Sequence, residues 1–148
     1  MRFTVGTPLA IITDSEGVAH VRAEDETGAF GILPGHADFL TALSLSVVSW
    51  RDLTGREHHL AVRGGMLEVR DGNLITIATR EAIAGEDLGW LQTEVIASFR
   101  RRTDEERKSR TDSQRLYLAA IRQICRYLRP QTNSGPGESM AQLEDLEQ

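Results

Sequence analysis

Residues 28–43 read GAFGILPGHADFLTAL, and this stretch decides the fold. Three glycines and a proline stand beside a short apolar run, followed by His36 and a second apolar run. Glycine permits positive φ and close backbone approach, whereas proline fixes φ near −65°. The pattern is that of a strand, a tight loop and a return into a core.

The same logic extends outward over residues 1–85. Val18 to Val21, Leu60 to Val62, Met66 to Val69 and Leu74 to Ile77 are short, rich in Val, Ile and Leu, and roughly alternating. Turn signals separate them: Ser15-Glu16-Gly17, Asp52 to Gly55, Gly64-Gly65 and Asp71-Gly72-Asn73. Asp-Gly between two apolar runs is a strong hairpin signal, because both turn positions need residues that tolerate positive φ. The expectation is a β-sandwich of about 8–10 short strands closing on one small core.

From Gly85 the period changes. Leu88, Leu91, Val95 and Phe99 share one helical face, and Tyr117, Ile121, Ile124 and Leu128 share another. The polar run 100–110 lies between them. Thr103 with Glu106 fits a capping box, and Thr111 or Asp112 fits a second cap. Residues 86–130 are therefore expected to form an α-helical hairpin turning near residues 109–112. One unbroken helix is the alternative, since no Gly or Pro interrupts 90–129. Pro130 ends the helix, and residues 131–148 have the composition of a linker and a disordered acidic tail.

Charge follows the same divisions. The net charge is −5, made up of −4 in residues 1–85, +3 in 86–130 and −4 in 131–148. An acidic chain without interleaved aromatics on a basic patch argues against a nucleic-acid partner. No run of 18 apolar residues exists, so no inserted membrane span is expected, and the start at Met1 reads as a complete cytosolic chain without a targeting peptide. Cys125 is the sole cysteine and suits a reducing compartment.

The residues that could carry chemistry do not assemble into a site on paper. His58 and His59 are adjacent, so on a strand their rings point to opposite faces and cannot share one ion. His36 with Asp38 suggests a dyad, but the nearby Thr41 has no activating arrangement. A small metal-dependent enzyme using His36, His58 and His59 remains one alternative, and a free-standing β-sandwich adaptor another. Gly64-Gly65 precedes strand pattern and not a helix, so it reads as close packing or a strand kink, not a phosphate loop. Arg115, Arg122, Arg126 and Arg129 fall within roughly 60° on the helix, opposite the Tyr117 face, as a basic stripe suited to an acidic partner. Trp90 falls opposite Leu88, Val95 and Phe99, where it either packs on the β domain or meets a partner.

Four ordered segments now carry a resemblance. FTVGTP (residues 3–8), GAFGILPGHADFLTAL (28–43), VRGGMLEV (62–69) and NLITIA (73–78) resemble, in order and spacing, the epsilon subunit of the F-type rotary ATP synthases. The resemblance implies a β-sandwich followed by a helical hairpin, no catalytic centre and no cofactor. It implies a central-stalk role linking the gamma subunit to the c ring, coupling ion translocation to ATP synthesis on the cytoplasmic face of a bacterial inner membrane. Carried over by position, Glu26, Thr27, Gly28, Ala29 and Phe30 would face the c ring, and His36, Asp38 and Leu40 would face gamma. The family usually has Glu where Ala29 stands here. The helices would inhibit ATP hydrolysis by meeting the alpha and beta subunits, with the Arg115/Arg122/Arg126/Arg129 stripe as the chemical means. Some members bind ATP at an I-D-x-x-R-A motif; here Trp90-Leu91 replace its Arg-Ala, so ATP sensing is not expected. These departures point to a divergent branch, the alternative synthases that some bacteria carry.

Overall fold

The computed structural model describes residues 1–128, which include eight strands: β1 (Arg2–Gly6), β2 (Ile11–Ser15), β3 (Val18–Asp25), β4 (Gly28–Ile32), β5 (Phe39–Asp52), β6 (Glu57–Arg70), β7 (Leu74–Ala78) and β8 (Ala82–Gly85). Their hydrogen-bonded path is β2-β1-β7-β6-β5-β3-β4, with β8 also on β6. β1 and β7 are parallel and every other pair is antiparallel. The 14-residue strands β5 and β6 belong to both layers of a β-sandwich. The first layer is β2-β1-β7 with residues 66–70 of β6 and the start of β5. The second is β4-β3 with the end of β5, residues 59–62 of β6, and β8.

Expected strands 60–62 and 66–69 are therefore one strand, and Gly64-Gly65 is its kink. Both glycines have positive φ, 65° and 132°. A Cβ on Gly65 would lie 2.2 Å from the Ala78 carbonyl oxygen, so only glycine lets β6 pass β7 here. The Asp71-Gly72 hairpin signal is realised as expected, with φ of 52° and 66° at the two residues, the signs a type I′ turn needs.

Inward residues of both layers make the main core: Phe3, Val5, Val21, Ile32, Val48, Leu60, Leu67 and Ile75 are among its buried members. Phe3 packs on Trp50 with ring centroids 5.0 Å apart. The second layer is apolar on its outer side too. Ala61, between inward Leu60 and Val62, joins Leu91, Val95 and Phe99 in a second buried cluster. This explains why residues 60–62 read as an unbroken apolar run.

The helical part opens at α1 (Leu88–Trp90), capped by the Asp87 carboxylate, which accepts from the Trp90 amide at 3.0 Å. A π turn follows at Leu91–Val95, then α2 (Ile96–Leu128). The expected hairpin is corrected here: α2 is continuous through residues 109–112. Without Gly or Pro the helix has no reason to break there, and Arg, Lys, Gln and Glu cost little in it. Thr103 is no cap, since its hydroxyl donates to the Phe99 carbonyl at 3.0 Å, inside the helix. Leu88 is also corrected. As the first residue after the cap it stays exposed, and Leu91, Val95 and Phe99 alone are buried. The chain divides into two units, Met1–Arg107 and Lys108–Gln148; residues 91–99 belong to the first, by the packing just described. The expected tail 131–148 lies outside the described residues.

Gly65→Ala should cost about 3 kcal/mol or more, because the carbonyl contact and the backbone strain act together. Gly6→Ala, where a Cβ meets nothing within 4 Å, should stay within about 1 kcal/mol. Urea unfolding of both variants checks the difference.

Candidate interaction surfaces

The two layers differ in what lies on their outer sides. The second carries Leu91, Val95 and Phe99; among the described residues the outer side of the first is largely exposed. Across it, Ala42, Met66, Ala78, Gly6 and Ile11 are register partners in turn. This row spans five strands, roughly 19 Å at the usual strand spacing. Met66 is 45% and Ile11 69% exposed, and Leu40, one step along β5, is 62% exposed. An open groove of about 790 Å³ runs over part of the row, lined by Gly6, Pro8, Met66, Ala78 and Arg80 among others. The sequence hides this row, because strand alternation marks each member as outward but only the register aligns them.

One end of this layer holds the expected His36, Asp38 and Leu40. The Gly35 amide donates to the Gly72 carbonyl at 2.9 Å, and the Asp71 amide donates to the Asp38 carboxylate at 2.9 Å. Loop 33–38 is thereby stapled to the β6–β7 turn. The His36 ring lies edge-on to Phe39 at 5.8 Å, with Nδ1 2.7 Å from the Ala37 carbonyl. Asp38 serves the turn and Thr41 donates to Asp25 at 2.8 Å. The structure does not bring His36, Asp38 and Thr41 together as a catalytic set.

The expected loop 26–30 is a two-residue turn, since Gly28 already pairs with Asp25. Asp25 fixes it by accepting from the Thr27 amide and hydroxyl at 2.8 and 2.6 Å. Glu26, Thr27 and Ala29 face solvent. Phe30 instead packs edge-on to Phe39 at 5.6 Å against the core, as its place on the inner side of β4 requires.

His58 and His59 do point apart. The His58 ring stacks on Trp50 at 5.2 Å and its Nε2 is 3.1 Å from the Asp52 carboxylate. His59 Nδ1 is 2.8 Å from the Ser49 hydroxyl. They share no ligand position, so the metal-dependent reading has no geometry to rest on. Trp90 is 47% exposed and takes no part in the second cluster.

The second unit offers a different surface. Arg115, Arg122 and Arg126 are exposed on α2, as are Tyr117, Ile121, Ile124 and Leu128 opposite them. Arg129 lies outside the described residues. Cys125 is a free, exposed thiol on the same helix.

Several carboxylates lock turns and strand ends, and their acidities shift accordingly. Hydrogen bonds from the Thr54 hydroxyl and then His58 hold Asp52 well below the usual range. Thr27 and then Thr41 hold Asp25 low, Arg2 does so for Asp14, and Arg51 for Glu57. A carboxylate with a folded pKa below its unfolded value of about 4 stabilises fully above that pH and loses its contribution as pH falls. Urea midpoints should therefore drop steeply below about pH 4. Asp52→Asn should flatten that dependence while lowering the midpoint at neutral pH.

Residues 1–85 match the family described as ATP synthase, Delta/Epsilon chain, beta-sandwich domain. Over 130 residues the chain is 40% identical to the ATP synthase epsilon chain 2 of Paraburkholderia xenovorans, covering 88% of this chain and 94% of that one. It is 42% identical over 124 residues to the ATP synthase epsilon chain 2 of Cereibacter sphaeroides, covering 84% and 85%. Its fold is similar to a chain solved in the OSCP/F1/c-ring assembly of the Euglena gracilis mitochondrial ATP synthase. That match has a TM-score of 0.53 at 24% identity and covers 55% of this chain and 51% of that one.

Proposed function

This chain belongs to the ATP synthase delta/epsilon-chain family, as an accessory subunit and not a catalyst, and we propose that it is the rotor piece joining the gamma subunit to the c ring. The open apolar row of the first layer is the observation that carries this reading. Contiguous exposed apolar surface marks a partner site, and here the opposite outer side is already occupied by the chain's own helix. Gamma docks on the row, with Leu40 and the stapled loop bearing His36 and Asp38 at its edge. The turn bearing Glu26, Thr27, Gly28 and Ala29 meets the c ring. Ala29 brings no carboxylate, so Glu26 and the backbone carry that contact. Phe30 backs the turn from inside.

The physical task is stiffness and adhesion. A close-packed sandwich transmits strain without deforming, and the Asp25, Asp38 and Gly72 contacts fix the loops that touch the partners. The Euglena chain was solved within an assembly containing a c ring, which supports this placement. The subunit then lies peripherally at the cytoplasmic face of a bacterial inner membrane. No helix among the described residues is long and apolar enough to cross one. The two relatives named epsilon chain 2 support a place in an alternative synthase.

A second reading concerns regulation. The exposed Arg115, Arg122 and Arg126 and the bare Tyr117 face favour a role for residues 108–128 in restraining ATP hydrolysis through acidic alpha and beta surfaces.

Met66→Glu combined with Ala42→Glu should weaken gamma binding about tenfold or more, as expected for charges placed in the centre of an apolar contact. Co-purification and titration with gamma check this, and undiminished binding would reject the docking surface. Truncation after Arg107, which spares Leu91, Val95 and Phe99, should raise hydrolysis by the assembled complex. Unchanged hydrolysis with intact assembly would remove the regulatory reading alone.

A further inference from the structure

Arg63 stands on β6 beside the glycine kink, its side chain only 13% exposed. Its Nη1 donates to the Glu106 carboxylate at 2.8 Å, and its Nε lies 3.7 Å from the Glu81 carboxylate. Arg102 donates to Glu81, and Arg80 lies 3.5 Å from Glu106. Five charges of alternating sign thus run Arg102, Glu81, Arg63, Glu106, Arg80. Glu81 is tied to the sandwich, since its carbonyl accepts from the Arg63 amide at 3.0 Å and the Thr79 hydroxyl at 3.1 Å. Arg102 and Glu106 stand one turn apart on α2.

We infer that Arg63 is the hub of a salt-sensitive clasp that holds residues 100–107 of α2 on the sandwich. Two further observations carry this. Phe99 is the only buried residue of the described part of α2, so the apolar footing ends before the clasp begins. The first unit ends at Arg107, one residue beyond Glu106. The ladder is also poorly buffered against loss of a member. The Nε atom of Arg63 is buried without a hydrogen-bond partner, so its side chain is hydrogen-bonded to Glu106 and tied to Glu81 only by the longer charge contact. Removing one partner of a covered ion pair leaves the other uncompensated. Arg80, Arg102 and Glu106 are 64%, 54% and 42% exposed, so mobile ions reach the outer members and weaken the ladder as ionic strength rises. The clasp is a property of the first unit and does not depend on the function proposed above.

Hydrogen exchange of the full chain, read by mass spectrometry, tests it. Between about 20 mM and about 500 mM NaCl, amides 100–107 should lose about tenfold in protection while β1 to β7 keep theirs. Arg63→Met and Glu106→Gln should each produce that loss at low salt and abolish the salt response. The double variant should be no worse than either single one, because both break the same network. Should Arg63→Met unfold the sandwich, Arg102→Gln, an exposed position, must by itself lower protection at low salt and reduce the salt response. Salt-insensitive protection of 100–107 in the native chain would overturn the inference. So would an unchanged salt response in Arg63→Met, or in Arg102→Gln where that substitute is needed.

Discussion

The contact between Gly65 and the Ala78 carbonyl governs the rest of this structure. A long strand can serve two layers only by turning between them, and the turn brings β6 against β7 more closely than any side chain allows. From that one approach follow the shared β5–β6 hairpin, the enclosed core and the difference between the two outer sides. Residues 59–62 of β6 present Ala61 outward, small enough for Leu91, Val95 and Phe99 to settle on it. Residues 66–70 present Met66 outward to solvent and Glu68 outward to Arg70 of the same strand. One strand therefore supplies both the seat of residues 91–99 and the exposed face on which the proposed docking rests.

The energetics of the two sides differ in kind. Fully burying a Leu, Val or Phe side chain stabilises by about 1.5–3 kcal/mol each, whereas an exposed ion pair gives about 0–1 kcal/mol. The hold of residues 91–99 is thus chiefly apolar. The charged ladder that follows sets position more than strength. Its members on α2 are neighbours by helical spacing, while Arg63 and Glu81 are brought together by strand pairing. A sequence reader sees Arg102 and Glu106 as part of a polar run and has no means of pairing them with Arg63.

That difference explains which features were legible. Local rules worked where local physics decides: the Asp71-Gly72 turn, the strands around Val18 and Leu74, and the opposed rings of His58 and His59. The continuity of β6 is only half legible, because Gly64-Gly65 reads both as punctuation between two strands and as close packing or a kink within one, and β7 decides for the kink. Positional resemblance places Phe30 with the residues that would face the c ring, but it does not reveal which side of β4 its side chain occupies, and Phe30 packs on Phe39 against the core. The apolar row stayed hidden for the same reason as the clasp, since both depend on register between strands distant in sequence.

The helix poses the opposite case, where the local rules were stronger than the pattern laid over them. Thr103, Thr111 and Asp112 are good caps in isolation, and a polar run between two apolar faces suggests a turn. Yet capping is worth about 1 kcal/mol, and breaking a helix forfeits the backbone bonds across the break unless packing or a breaker compensates. Between residues 96 and 128 there is neither Gly nor Pro, and the residues at 109–112 are exposed. The continuous α2 is what this balance dictates for the chain alone. Its Tyr117, Ile121, Ile124 and Leu128 face gains nothing from solvent, so any surface that covers it acts on the same balance.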